Sequence, residues 1–223
     1  MTITELGVVA AANGLPLSDE QLEKLSMYAE LLRAKNQVIN LISRKDEENI
    51  LSKHVLHSLC LCFPGVPIAG IPQRANVFDL GTGGGLPGVP IRIARPDISL
   101  TLCDSIAKKI VAVQEFVQKL ALDNVHGLTA RAEALAAQIP HKRKYDVIMT
   151  RAVAPLDDLA LWSSGLLRKG GILLSLKGGD LTNEKKKAGS LKFVKLIEEA
   201  SLSLEGFDEF LKEEKKIVRV TMV

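Results

Sequence analysis

The chain has 223 residues, 47% of them hydrophobic and only 4% aromatic, enough to bury one sizeable core with a small appended subdomain. Its 29 Lys and Arg against 26 Asp and Glu leave a formal charge of +3, so bulk charge does not announce a nucleic-acid partner. No signal segment opens the sequence and no apolar run approaches the roughly 20 residues needed to span a bilayer, which predicts a soluble, cytoplasmic protein with no membrane partner.

Leu22, Leu25, Met27, Tyr28, Leu31 and Leu32 recur at helical spacing behind Ser18 and Asp19, which predicts an amphipathic helix over 19–35. A second helix is expected over 46–62, where Asp46 can cap and Ile50, Leu51, His54, Leu56, Leu59 and Leu61 form a stripe. Three prolines and two glycines between Pro64 and Arg74 read as a linker. Residues 1–74 are thus expected to form a helical cap, and 75–223 a larger unit.

From residue 75 strands and helices alternate. Strands are expected at 76–80, 99–103, 125–128, 145–149 and 171–176, with helices at 88–95, 106–121, 132–138, 156–168 and 184–199. Two further β-rich stretches are expected near 202–206 and 216–222. The alternation predicts an α/β fold, a mostly parallel Rossmann-like sheet with helices on both faces, binding its ligand beyond the carboxyl ends of the strands. Cys60, Cys62 and Cys103 are odd in number and the first pair is spaced for neither a disulfide nor a zinc knuckle; reduced, mostly buried thiols are expected.

Residues 76–88 carry the strongest signal: a hydrophobic strand runs through Asp79 into a loop with Gly81, Gly83 and Gly85, then into a helix at Pro87. Glycines there bring bare backbone against a ligand beside a helix N-terminus. Gly83-x-Gly85-x-x-Gly88 also satisfies the dinucleotide fingerprint, so the loop alone leaves NAD open. Asp79 favours S-adenosylmethionine (SAM), whose ammonium group it can meet directly or through water, whereas it would repel a pyrophosphate. Leu86 offers an apolar contact. Asp104 stands where an acid accepts ribose hydroxyls, or where it caps the next helix. Ala132 and Glu133 follow the third strand, where they can read an adenine edge or simply open a helix. Arg151 ends the fourth strand; its fork suits a phosphate or a guanine edge, the alternative being an ion pair with Asp157 or Asp158. Neither a cysteine nucleophile nor an Asn/Asp-Pro-Pro motif stands there. His54 and His57 have the i, i+3 spacing of a metal pair, without a well-placed acidic or Cys partner.

The run Asp79-Leu-Gly-Thr-Gly-Gly-Gly-Leu-Pro-Gly-Val-Pro, with Asp104-Ser-x-x-Lys-Lys, Arg131-Ala-Glu133, Arg151-Ala and Lys177-Gly, resembles the RsmG (GidB) family. Lys35-Asn36-x-x-Ile39-Asn40-Leu41-Ile42-Ser43 and His54-Val-Leu-His57-Ser58-Leu59 are also similar to its Asn-Leu-Thr and His-x-x-Asp-Ser-Leu elements. The resemblance spans about residues 20–180. It implies a SAM-dependent enzyme that methylates guanine N7 in the 530 loop of 16S rRNA, acting on the 30S subunit or its assembly intermediate and not on DNA. It places the cofactor at Gly81, Leu86, Ala132, Glu133 and Arg151, with Asp104 at the ribose. Since N7 carries an exposed lone pair, no general base is expected, and Arg151 positions the acceptor; without a third ligand beside His54 and His57, no metal is expected either. Arg44, Lys53, His54, Arg131 and Lys177 are expected to contact RNA. Two departures stand out: Gly84 replaces a usual Ala or Pro, and His57 replaces a usual Asp.

Overall fold

A computed structural model describes residues 1–136 and 138–223. The N-terminus opens with α1 (Ile3–Ala12), which periodicity does not reveal although its cap is written in the sequence: Thr2 and Glu5 form a reciprocal capping box. Next comes α2 (Asp19–Asn36), capped in the same manner by Ser18 and Gln21. Asn36, 2% exposed, then turns the chain, because its Oδ1 accepts from the amides of Leu41 and Ile42 at 2.8 and 3.0 Å.

The helix expected over 46–62 is helical throughout but changes pitch. A 3-10 turn (Arg44–Asn49) leads into a π-helical stretch (Ile50–Leu56), one α turn (α3, His57–Leu59) and a second 3-10 turn (Cys60–Cys62). Wide π turns are uncommon and concentrate at functional sites; this one carries Lys53 and His54.

The remainder alternates as β1 (Asn76–Leu80), α4 (Gly88–Ala94), β2 (Ser99–Asp104), α5 (Ala107–Lys119), β3 (Val125–Thr129), α6 (Ala132–Leu135), β4 (Tyr145–Arg151), α7 (Leu156–Ser164), β5 (Leu167–Gly178), α8 (Thr182–Gly189), β6 (Val194–Ser201), α9 (Glu209–Lys212) and β7 (Lys215–Met222). The seven strands lie in the order β3-β2-β1-β4-β5-β7-β6; the first five are mutually parallel and β7 runs antiparallel to both neighbours. The order reverses between β1 and β4, which opens a crevice at their carboxyl ends.

Alternate side chains along the strands feed two cores. Val77, Val147 and Met149 pack with the N-terminal helices, α4 and α5, whereas Phe78, Leu80 and Ile148 pack with α6, α7 and α8. Buried residues of the first 62, including Leu25, Leu32, Val55 and Leu59, belong to the former core, so these helices are joined to the sheet by continuous apolar packing.

Four expected elements change their boundaries. The helix expected over 184–199 ends at Gly189, and 194–201 is the edge strand β6. Its charged residues pair across strands, Glu199 with Lys216 at 2.9 Å and Glu198 with Arg219 at 3.8 Å, which suits an edge and disguises it as a solvated helix. The β-rich stretch expected near 202–206 is reduced to a single bridge between Leu204 and Phe207. Helix 156–168 stops at Ser164, and β5 already begins at Leu167. Of the helix expected over 132–138, Ala132–Leu135 is α6, and Ala137 lies outside the described residues. No helix among the described residues is long and apolar enough to cross a membrane.

Candidate functional site

Two acids hold the glycine loop from beneath. Asp79 is fully buried; its Oδ2 accepts from Thr82 Oγ1 at 2.7 Å and from the Gly88 amide at 2.9 Å, while Oδ1 has no partner. Burial raises its pKa to about 7, against the pull of the Thr82 and Gly88 hydrogen bonds. Asp104 Oδ2 accepts from the Gly83 amide at 3.0 Å and Oδ1 from the Ile106 amide at 2.9 Å. The carboxylate therefore ties the loop to the start of α5 while lining the cavity described next. At Gly81, φ is +74° and an added Cβ would stand 2.5 Å from Val153, so both conformation and space require glycine. From above, Tyr28 of α2 donates its hydroxyl to the Gly84 carbonyl at 2.9 Å. A Cβ on Gly84 would meet Leu32 Cδ1 at 2.7 Å and Leu41 Cβ at 3.2 Å, so a larger residue here requires the Leu32 side chain to shift.

Beyond β1, β2 and β3 lies a cavity of about 310 Å³. Gly81, Asp104, Ala132, Glu133 and Arg131 line it together with Lys109, Val153 and Trp162, the last three not foreseen from sequence. Its volume sits at the lower end of small-molecule pockets. Asp79, Gly83, Gly85 and Leu86 are not on its wall: Asp79 supports the loop, the Gly83 amide is taken by Asp104, and Leu86 is 4% exposed within the core. The Cys103 thiol lines it too, but burial lifts its pKa to about 12, so no thiolate is available.

A second cavity, of about 670 Å³, adjoins the first at Ala152, which lines both. Ala152 has φ of +53°, strained backbone for a residue with a side chain, at the end of the fourth strand. Arg151, Lys53, His54, His57, Lys177 and Lys215 line this cavity with Asp46 and Glu213. Arg151 pairs with neither Asp157 nor Asp158. Its Nη1 donates to the Lys53 carbonyl at 3.1 Å, and Nη2 lies 2.6 Å from His54 Nδ1. A guanidinium has only donors, so Nδ1 must accept and the imidazole is neutral, with its proton on Nε2. Burial and the Arg151 charge agree, lowering the His54 pKa to about 3. Lys177, expected at RNA, is committed within the protein. Its Nζ donates to the Ala154 carbonyl and to Glu184, both at 2.7 Å, and Glu184 also accepts from the Leu156 amide at 2.9 Å, which fixes the loop after β4. Arg44 and Arg131 are exposed. Among the described residues no three His, Cys, Asp or Glu side chains gather as a metal site.

His57 is 5% exposed, tilts against Phe210 at 5.1 Å and leaves Nε2 unpartnered; burial, then the Arg151 charge, holds its pKa well below the ordinary value. Below about pH 6.5 the unfolded chain takes up a proton at this position and the folded one does not, so stability falls as pH falls. His57→Phe is expected to lose about 2 kcal/mol less stability than the native protein between pH 6.5 and 5, measured by urea unfolding. Equal losses would show that His57 titrates normally in the fold.

The fold and the sequence have relatives. The fibrillarin pre-rRNA processing protein of Methanococcus jannaschii superposes with a TM-score of 0.55 at 13% identity over 73% of each chain. The tRNA (m1A58) methyltransferase TrmI of Aquifex aeolicus gives 0.52 at 10% identity, over 67% of this chain and 62% of that one. At such identity the likeness concerns the fold. Two proteins named ribosomal RNA small subunit methyltransferase G are much nearer in sequence. That of Chlorobaculum tepidum is 41% identical, covering 77% of this chain and 75% of its own; that of Chlorobium limicola is 37% identical, covering 92% and 90%. The family model GidB, rRNA small subunit methyltransferase G, matches residues 21–208. With a methyltransferase sheet and sequence relatives of this kind, the protein is a SAM-dependent methyltransferase. This chain belongs to the GidB family of small-subunit rRNA methyltransferases.

Proposed function

We propose that the protein methylates N7 of a guanine in the 530 loop of 16S rRNA, with the 30S subunit or an assembly intermediate as its substrate, and that residues 1–74 form a cap over the cofactor-binding domain 75–223. The observation that carries this reading is the pair of cavities meeting at Ala152, one of nucleoside size, the other walled by Arg151, Lys53 and Lys215 together with Asp46 and Glu213. The names of the sequence relatives supply the substrate class.

The first cavity, with acids on its floor at the switch point of the sheet, receives SAM. There Asp104 and Glu133 offer carboxylate acceptors to ribose hydroxyls and the adenine edge, Ala132 leaves room for the ring, and Gly81 lets backbone approach closely. The unpartnered Asp79 Oδ1 lies under the loop, where a nearby cation favours its ionised form. SAM supplies an electrophilic methyl group when bound. Guanine N7 already presents a lone pair, and the residues here match that: His54 is neutral with Nδ1 engaged by Arg151, and Cys103 is held as a thiol. No side chain has to remove a proton. The protein's work is positioning: Arg151, anchored on the Lys53 carbonyl and His54, presents a fixed cation to the acceptor, and the surrounding walls exclude water.

The test is methyl transfer from labelled SAM to 30S subunits from a strain lacking this enzyme, followed by mapping of the modified nucleotide. N7-methylguanosine in the 530 loop is expected. SAM binding without incorporation would overturn the rRNA reading.

A further inference from the structure

The opposite end of the sheet carries charge that the cofactor and acceptor cavities do not use. Arg74 precedes β1, Lys142, Arg143 and Lys144 precede β4, and Lys169 stands near the start of β5; all five are exposed and none makes an ion pair among the described residues. They lie close together because β1, β4 and β5 are neighbours. The Arg143 and Lys144 amides donate to the carbonyls of Gly165 and Leu166, both at 2.9 Å, and the Asn76 amide donates to Asp146 at 2.6 Å, so the three segments are bonded together. The acids nearby are already occupied: Asp146 pairs with Arg168 and Asp97 with Arg95. Like charges gathered on backbone held this firmly present a positive face that a polyanion would neutralise.

We propose that this end of the sheet is a second RNA-contact surface, which grips phosphates of the same particle at a distance from the base being methylated. This inference rests on the rRNA reading above. From Tyr145 to Arg151 the fourth strand spans about 20 Å, more than twice the Debye length of about 8 Å at physiological salt. The cluster therefore acts independently of Arg151, and no short oligonucleotide seated in the acceptor cavity reaches it. Only an RNA large enough to wrap from one end of the sheet to the other touches both, which accounts for target choice by a chain with few aromatic residues to stack bases. A protein partner fits less well: the segments that carry these cations, 72–74, 142–144 and 168–170, hold no large exposed hydrophobic side chain, where a protein interface would centre on a packed apolar anchor.

The experiment is a charge reversal, Lys142→Glu with Lys144→Glu and Lys169→Glu, in the full chain. Association with 30S subunits is measured by sedimentation at several salt concentrations, and methyl transfer is measured separately. Removing one Lys–phosphate interaction lowers the slope of log affinity against log salt by about one. The variant is expected to bind 30S about 10–100-fold more weakly at 0.15 M salt, with a shallower slope, a raised KM, unchanged kcat and native affinity for SAM. Native 30S affinity and slope in the variant would overturn the surface, as would weakening with no change in slope, which would indicate a non-electrostatic interaction. If the unaltered protein binds 30S with a steep salt slope but transfers no methyl group, the methylation reading falls and the RNA-contact surface stands.

Discussion

Arg151→Ala is expected to lower methyl transfer to 30S subunits by about 10³-fold or more while the protein stays folded and binds SAM within a few-fold of native. Arg151 stands at the end of β4 where the two cavities meet, and its side chain is the cation anchored most firmly there, through the Lys53 carbonyl and His54 Nδ1. Removing the group that fixes the acceptor forfeits part of the roughly 7–11 kcal/mol that orientation can contribute, and about 4 kcal/mol of it corresponds to the stated loss. The stability change should be smaller. Two hydrogen bonds disappear, at about 1–3 kcal/mol each for groups left buried, but so does a guanidinium whose burial already lowers its pKa and which has no carboxylate partner. Arg151→Lys separates charge from shape: one ammonium cannot serve both the Lys53 carbonyl and His54 in the planar geometry of the fork, so about a 10²-fold loss is expected even though the charge is kept. Near-native transfer by Arg151→Ala, measured with labelled SAM at saturating 30S, would remove Arg151 from the acceptor site.

Gly88→Ala is expected to destabilise the fold by about 3–4 kcal/mol, the sum of overpacking and a compromised hydrogen bond to a buried carboxylate, and to weaken SAM binding at least tenfold. The added Cβ would stand 2.6 Å from Asp79 Oδ2 and 2.5 Å from Leu102 Cδ2. Leu102 can yield by rotating its methyl groups. Asp79 cannot, because the same oxygen accepts from Thr82 and from Gly88 itself, and the strand that carries it is paired on both sides by β2 and β4. The loop must move away instead, and with it the backbone at Gly81 and Gly83 that faces Asp104 and the first cavity. Urea unfolding and SAM titration read the two effects separately. Native stability in Gly88→Ala would mean that the loop's position does not depend on its seat against Asp79.

The local sequence is informative wherever a short stretch determines its own conformation. The strand-glycine-helix run at 76–88, the alternation from β1 to β5 and the acids that end β1 and β2 all depend on neighbours a few residues away, and each is readable from periodicity and turn chemistry. Even α1 is legible in the Thr2 and Glu5 capping box, although its apolar spacing gives no clear stripe. The edge strand β6 is not. Its charged residues alternate no more clearly than those of a solvated helix, and only the fold gives Glu198 and Glu199 their partners, Arg219 and Lys216 on β7 and Lys185 on α8.

The site divides along the same line. From sequence come the residue types and their places at strand ends: Asp79, Gly81, Asp104, Glu133 and Arg151, and through them the cofactor class and the family. Tertiary structure alone decides which atoms remain free for a ligand. Asp79 spends one oxygen holding the loop, Lys177 is bound to Glu184, and Arg151 reaches across to His54, nearly one hundred positions earlier in the chain, which sets the His54 tautomer. A hydrogen bond or an ion pair is a property of two groups and the distance between them, so a sequence can name the donors and acceptors, but only the folded chain determines which of them are already satisfied.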